Sequence, residues 1–231
     1  MNNIAQRLQQ VRERITQTAT KWQRNPADIQ LLAVSKTHPA TAIKSAATQG
    51  QRCFGENYLQ DALPKIESLK NAGYDLEWHF IGAMQSNKTR PIATHFDWVE
   101  TLSSLKHAQR LHQQRPPHLA PLNVCLQVNI SHEPQKSGIN PAELETLASA
   151  VSQLPRLRLR GLMALPASAD TLEQQRLPFA RLFHLFTELK SQGFALDTLS
   201  MGMSADLEAA IAEGATQVRI GTAIFGPRIK K

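Results

Sequence analysis

Eight short apolar runs, separated by stretches of helical periodicity, dominate this 231-residue chain. They are IQLLAV (29–34), RCFG (52–55), EWHFIG (77–82), DWVETL (97–102), LNVCLQVNI (122–130), LRLRGLMAL (157–165), LDTLSM (196–201) and QVRIG (217–221). Runs of this length, bounded by turn residues, read as buried strands. Between them ATAIKSAATQ, SSLKHAQRLHQQ, PAELETLASAVSQL, LPFARLFHLFTELKSQ and ADLEAAIAEG read as helices. Gly50, Gly73, Gly193 and Gly214 fall where helix C-termini belong. Buried strands alternating with helices call for a parallel sheet with helical crossovers. A doubly wound open sheet and a (β/α)8 barrel both satisfy that pattern. The count of eight and the absence of GxGxxG after any run favour the barrel.

Ahead of the first run, Ile4, Leu8, Val11 and Ile15 form one apolar stripe, and Asn25-Pro26 ends the segment. Residues 1–24 are therefore expected to form a leading amphipathic helix. The expected fold class is α/β: a single (β/α)8 TIM-type barrel with an extra N-terminal helix, residues 1–231 forming one domain.

Composition adds exclusions. With 42% hydrophobic and 19% charged residues the chain is of ordinary globular type. A chain of this length buries roughly 70–75% of its extended surface, so neither disulfide nor metal is needed for stability. Cys53 and Cys125 sit in apolar surroundings without CxxC or Cys/His spacing and read as reduced, buried thiols; no metal site is expected. No run reaches about 18 apolar residues, and the N-terminus lacks a signal-peptide core, so a cytoplasmic protein without membrane attachment is expected. The net charge of +7 suits anionic ligands, but the basic residues are spread along the chain. RLRLR (156–160) alternates like a strand entering from the lower rim, and no aromatic platform or helix-turn-helix accompanies it; nucleic acid is not an expected partner.

A barrel of this kind carries its site at the C-terminal ends of the strands. Those ends present Lys36, Gly55-Glu56-Asn57, the segment GAMQSNK (82–88), SMGMS (200–204) and Arg219-Ile220-Gly221-Thr222. The loops after strands seven and eight commonly bind phosphate through helix N-termini. Ser204 stands as a natural N-cap of ADLEAAIAEG, with Met203 beside it, and Gly221-Thr222 offers close backbone approach plus a hydroxyl. An ammonium at the mouth of an apolar strand loses hydration, which favours the neutral, nucleophilic amine at Lys36. A phosphate-bearing aldehyde with Arg219 reaching its ring nitrogen describes pyridoxal 5′-phosphate.

The segments AVSKTHP, FGENYLQD, WHFIGAMQSNK, SGI, RLRGLMA, LSMGMSADLEAAI and VRIGTAIFG closely resemble the YggS/PROSC family, the pyridoxal phosphate homeostasis proteins. The resemblance runs nearly the whole chain, with the motifs in order. It implies an alanine-racemase-like barrel with the cofactor held as an aldimine on Lys36. It also implies phosphate contacts from Ser204, Gly221 and Thr222, Asn57 near the ring, and Arg219 facing the ring nitrogen. One departure is visible: the third-strand loop, commonly Gly-Pro-Leu-Gln, here reads Gly82-Ala83-Met84-Gln85. Losing the proline is expected to loosen that turn slightly. Lys136 is expected to be a solvated loop lysine rather than a second cofactor anchor, and His79 a hydrogen-bonded core histidine.

Two functions compete, a carrier in intracellular cofactor homeostasis and delivery, and a cofactor-dependent amino-acid racemase. Racemisation needs acid/base groups on both faces of the ring. Relatives of this fold type take the opposing tyrosine from an additional β domain, which is not expected here because the barrel uses up these residues. Tyr74 is expected at the far end of the barrel, and Tyr58 follows the Asn57 loop. A cation opposite the ring nitrogen also weakens the ring as an electron sink. The carrier is favoured, as a monomer, with cofactor-dependent apo-enzymes as recipients.

Overall fold

A computed structural model describes residues 4–131 and 137–227; Lys136 lies outside the described residues. Eight strands close into a barrel in chain order, every neighbouring pair parallel. They are β1 (Gln30–Val34), β2 (Cys53–Glu56), β3 (Glu77–Phe80), β4 (Trp98–Leu102), β5 (Leu122–Gln127), β6 (Leu157–Met163), β7 (Thr198–Ser200) and β8 (Gln217–Ile220). Each overlaps one of the eight apolar runs. Closure is made by β1 against β8, with Leu32 opposite Arg219 and Ala33 opposite Ile220.

The helices are α1 (Ile4–Lys21), α2 (Ala40–Ala47), α3 (Leu59–Asn71), α4 (Thr89–His95) and α5 (Leu105–Gln114). They continue with α6 (Leu144–Ser152), α7 (Leu172–Ser191), α8 (Leu207–Ala212) and the single turn α9 (Thr222–Phe225). α7 begins five residues before the apolar period that announces it at Leu177. Thr171 caps it by accepting from the Gln174 N–H at 3.2 Å, and the helix then runs through Pro178. A proline there forfeits a backbone hydrogen bond, which is why the pattern hides the start. The four glycines expected at helix ends all have positive φ, between 79° and 95°.

α1 buries Ile4, Leu8, Val11, Ile15 and Ala19 and packs on α2, α8 and α9. Its polar edge is tied to the β7–α8 region. Arg14 donates to the Ser204 carbonyl at 2.9 Å, Lys21 pairs with Glu208 at 2.6 Å, and Arg24 beyond it donates to the Ile211 and Ala215 carbonyls. The extra helix thus braces one of the loops expected to carry the site. No helix among the described residues is long and apolar enough to cross a membrane.

Candidate functional site

Parallel strands all end at one rim, and at that rim lies a cavity of about 370 Å³. Lys36 just past β1, Asn57 after β2, Met203 and Ser204 after β7, Arg219 on β8, and Gly221 and Thr222 beyond it all line this cavity. Residues separated by up to 186 positions in the chain are brought to one space. Val34, Ile81, Met163 and Leu165 supply apolar wall.

The ground beneath Lys36 is stiff. Ser35 donates to Glu56 Oε1 at 2.6 Å, and Lys65 Nζ reaches the same oxygen at 2.6 Å and the Ser35 carbonyl at 3.2 Å. This buried cluster joins the ends of β1 and β2, from which Lys36 and Asn57 follow. Burial pushes the Glu56 carboxyl above its ordinary value, against the opposing pull of Lys65 and Ser35. Thr37, next to Lys36, has φ 65°, a left-handed conformation that a β-branched residue adopts only under constraint.

Asn57 Oδ1 is buried and has no hydrogen-bond partner among the described residues. Its backbone is held in place by Gly82: a Cβ there would stand 2.0 Å from the Asn57 carbonyl oxygen. Gly82 is itself fixed, its carbonyl accepting from Thr101 Oγ1 at 2.7 Å.

Arg219 is 4% exposed. Nη1 donates to Ser200 Oγ at 2.6 Å and Nη2 to the Ala164 carbonyl at 2.9 Å. Burial draws the guanidinium down from its ordinary value, opposed by the charges of Glu100 and Asp206.

Ser204 is not the helix cap its sequence position suggests. α8 begins at Leu207 with Asp206 at the cap position, and Asp206 Oδ1 turns back to accept from the Met203 N–H at 2.6 Å. The intervening residues form a turn, which leaves Ser204 on the cavity wall. Gly221 precedes α9; its carbonyl accepts from the Ile224 and Phe225 N–H groups, and the Thr222 and Ala223 amides at the start of the turn have no intrahelical acceptor.

One titratable lining residue was missed in the sequence, besides the apolar wall. His38 lines the cavity and stacks on Phe225 with ring centroids 5.3 Å apart. Burial, and then the charge of Lys65, lower its pKa from the ordinary histidine value. Its signal was available, a titratable residue two positions after Lys36. Tyr58 is 57% exposed and lines a different hollow, with Gln85 and Lys88, while Tyr74 borders a hollow with Glu77 at the opposite end of the barrel. His79 is a hydrogen-bonded core histidine, between Glu100 at 2.6 Å and Glu77 at 2.9 Å. Cys125 is fully buried as expected, but Cys53 is not in apolar surroundings. It opens β2 at the lower rim, where polar side chains from neighbouring strands converge on it: Gln30 Nε2 lies 2.9 Å and Glu77 Oε1 3.3 Å from its sulfur.

The cavity combines two cations, two hydroxyls, an unpartnered amide oxygen and an apolar wall. That donor set fits a flat, polar-edged ring carrying an anion and an electrophilic carbon, the composition of pyridoxal 5′-phosphate.

The alanine racemase N-terminal domain family matches residues 6–228. The pyridoxal phosphate homeostasis protein of Escherichia coli (strain K12) is 55% identical over 229 residues, covering 99% of this chain and 98% of that one. Its counterpart in Pseudomonas aeruginosa PAO1 is 58% identical over 228 residues, 99% and 97% of the two chains. The structure of PipY from Synechococcus elongatus PCC7942 with PLP bound superposes with a TM-score of 0.85 at 39% identity, over 96% of this chain and all of PipY. An alanine racemase from Clostridium difficile 630 shares the fold at a TM-score of 0.74 and 15% identity, this chain spanning 58% of it. The chain belongs to the alanine racemase N-terminal domain family, within its pyridoxal phosphate homeostasis proteins.

Proposed function

We propose that this protein binds pyridoxal 5′-phosphate in the upper cavity and serves cofactor homeostasis as a carrier rather than as an amino-acid enzyme. The observation that supports it most is the convergence of Lys36, Asn57, Ser204, Arg219, Gly221 and Thr222 on one space of about 370 Å³. When bound, the cofactor supplies an aldehyde that condenses with amines and a ring that withdraws electrons from the resulting bond. Lys36 is the covalent anchor for the aldehyde carbon, held over the Ser35–Glu56–Lys65 cluster. Ser204, Thr222 and the amides just after Gly221 would hold the phosphate, with Met203 beside them on the cavity wall. Asn57 Oδ1 offers its open acceptor to the ring edge. Arg219, fixed by Ser200 and Ala164, would present a cation to the ring nitrogen and disfavour its protonation, which would weaken the electron withdrawal that turnover needs.

The alternative, a racemase-like enzyme, rests on His38, among the described residues the one titratable lining group besides Lys36 and Arg219. It shares the β1 end with Lys36, and the two tyrosines line other hollows. In the cell we place the protein in the cytoplasm as a monomer that passes cofactor to apo-enzymes.

Borohydride reduction and peptide mapping are expected to place the pyridoxyl label on Lys36; a label only elsewhere overturns the anchor. Deuterium exchange at the α-carbon of amino acids is expected at background, with transfer of cofactor to an apo-enzyme. Exchange at roughly 1–10³ s⁻¹, the ordinary enzyme range, overturns the carrier reading and promotes His38.

A further inference from the structure

At the opposite rim from this cavity, Cys53, Glu77 and His79 bring a thiol sulfur, a carboxylate oxygen and an imidazole nitrogen within 4.8 Å of one another. Cys53 is the first residue of β2 and Glu77 the first of β3, and the two are direct partners in the ladder. His79 lies two residues further along β3, on the same face. The Glu77 oxygen is 3.3 Å from Cys53 Sγ and 2.9 Å from His79 Nε2.

We propose that the lower rim of the barrel is a binding site for a zinc-class divalent ion, held by Cys53 Sγ, a Glu77 oxygen and His79 Nε2. The site shares no ligand residue with the cofactor cavity, and its assignment does not rest on how that cavity is used.

Three features carry the assignment beyond a buried ion pair. First, the donors fit. Zinc takes sulfur at about 2.3 Å and nitrogen or oxygen at about 2.0–2.2 Å, so tetrahedral ligand atoms stand roughly 3.3–3.6 Å apart. The present contacts need open by only a few tenths of an ångström, and all three ligands ride on strands rather than loops. Second, the outer shell is complete. His79 Nδ1 meets the fully buried Glu100 carboxylate at 2.6 Å, the carboxylate–histidine arrangement that fixes the tautomer and orientation of a metal-binding imidazole. Trp98 stacks on the same ring at 5.1 Å and 5°, locking its plane. An ion pair for His79 is already made by Glu77 and Glu100; it gives no reason for a soft sulfur donor at the same point. Third, the site has an entry. The Glu77 side chain is 37% exposed, Cys53 is half-buried, and each borders a surface hollow.

The exposed Gln30 amide lies 2.9 Å from Cys53 Sγ and 3.5 Å from Glu77 Oε1; a half-turn puts its carbonyl oxygen there as fourth ligand, in competition with water. A thiolate and a carboxylate balance the dication, neutral imidazole completes the set, and the displaced protons go to solvent. Mixed sulfur, nitrogen and oxygen donors select zinc over magnesium or calcium.

The test uses the full-length protein and Zn2+ in competition with a chromophoric chelator. One equivalent is expected to bind, and Cys53→Ser and Glu77→Gln are each expected to weaken it by at least about tenfold. Co2+ in place of Zn2+ is expected to show a thiolate charge-transfer band and tetrahedral d–d absorption. Zn2+ is also expected to protect Cys53 from alkylation, with the fully buried Cys125 as internal control. These two readouts need no variant and stand if Cys53→Ser fails to fold. Binding unaffected by both substitutions, cobalt spectra without a thiolate band, or alkylation of Cys53 indifferent to Zn2+ each overturn the site.

Discussion

Arg219 and Glu100 are joined through a single hydroxyl: Arg219 Nη1 donates to Ser200 Oγ at 2.6 Å, and Ser200 Oγ donates to Glu100 Oε2 at 2.6 Å. Gln217 donates to both the hydroxyl and the carboxylate, and His79 holds the other side of Glu100. A charged network thus fills the barrel interior from the cavity floor towards the lower rim. Burial pushes the Glu100 carboxyl up, but His79 and the Arg219 charge outweigh it and hold the carboxyl below its ordinary value.

Removing Arg219 leaves Glu100 its bonds from His79, Ser200 and Gln217 but takes the partner from the buried Ala164 carbonyl and one donor from the Ser200 hydroxyl. Arg219→Ala is expected to lower the unfolding free energy by about 1–3 kcal/mol, the cost of a buried polar group left without its partner. Urea denaturation of the protein without cofactor measures this apart from binding. A loss under about 1 kcal/mol means that water or a rearranged Gln217 takes over the role of Arg219.

The phosphate assignment predicts separable effects. Ser204→Ala and Thr222→Ala are each expected to weaken pyridoxal phosphate binding by about 1.5–3 kcal/mol, as for hydrogen bonds to charged groups. Because both lie on the cavity wall outside the core, stability without cofactor is expected to change little. Equilibrium titration of the apo-protein decides; an unchanged double variant places the phosphate elsewhere.

The barrel was legible because its eight strands are largely buried and read as apolar runs, four of them preceded by a helix-ending glycine. The lining of the candidate cavity was legible for a related reason: Lys36, Arg219 and Thr222 are polar residues at or near the ends of such runs, where a core residue would otherwise stand. What stayed hidden depends on contacts across the chain. Ser204 reads as a cap, and only the folded loop shows Asp206 taking that position. Cys53 and His79 are far apart in sequence and share no ligand spacing, yet the register of β2 against β3 brings them together. α7 starts under a threonine cap ahead of a proline, and the apolar period registers only the later part.

A surface pair gives a pH-dependent prediction. Arg160 grips both carboxylate oxygens of Asp197, at 2.9 and 2.7 Å. Burial raises that carboxyl, but the hydrogen bonds from Arg160 and Thr198 prevail and hold it below its ordinary value. A depressed carboxylate contributes stability above its unfolded pKa, near 3.9, and loses it as pH falls through the folded value. With the Asp197 side chain 53% exposed, the contribution is about 1 kcal/mol or less. Asp197→Asn is therefore expected to cost that amount at pH 7 and progressively less below about pH 4. A penalty that persists undiminished in acid would assign the effect to packing rather than charge.

Gly82 offers a steric test of how Asn57 is placed. Gly82→Ala puts a methyl group 2.0 Å from the Asn57 carbonyl oxygen, and the neighbour is backbone, which must shift as a unit. A loss of about 1–3 kcal/mol in stability is expected, as for overpacking. Cofactor affinity is expected to fall with it, since the Asn57 loop moves away from the cavity. Stability loss with unchanged affinity would show that Asn57 contributes nothing to the bound state.

Strain at Thr37 makes an opposite prediction for stability and binding. Its φ of 65° costs a β-branched residue about 1–3 kcal/mol, and its buried hydroxyl has no hydrogen-bond partner among the described residues. Thr37→Gly removes both penalties and adds about 0.5–1 kcal/mol of unfolded-chain entropy to be overcome. The net expectation is a variant as stable as the parent or more so, by on the order of 1 kcal/mol, where most substitutions destabilise. The same change frees the backbone next to Lys36, so the lysine is no longer held in one direction over the Ser35–Glu56 cluster. Cofactor binding is expected to weaken while stability holds or rises, read by titration and urea denaturation on the same preparation. If stability falls and affinity is unchanged, the left-handed turn is a packing accident, and Lys36 owes its placement to the buried cluster alone.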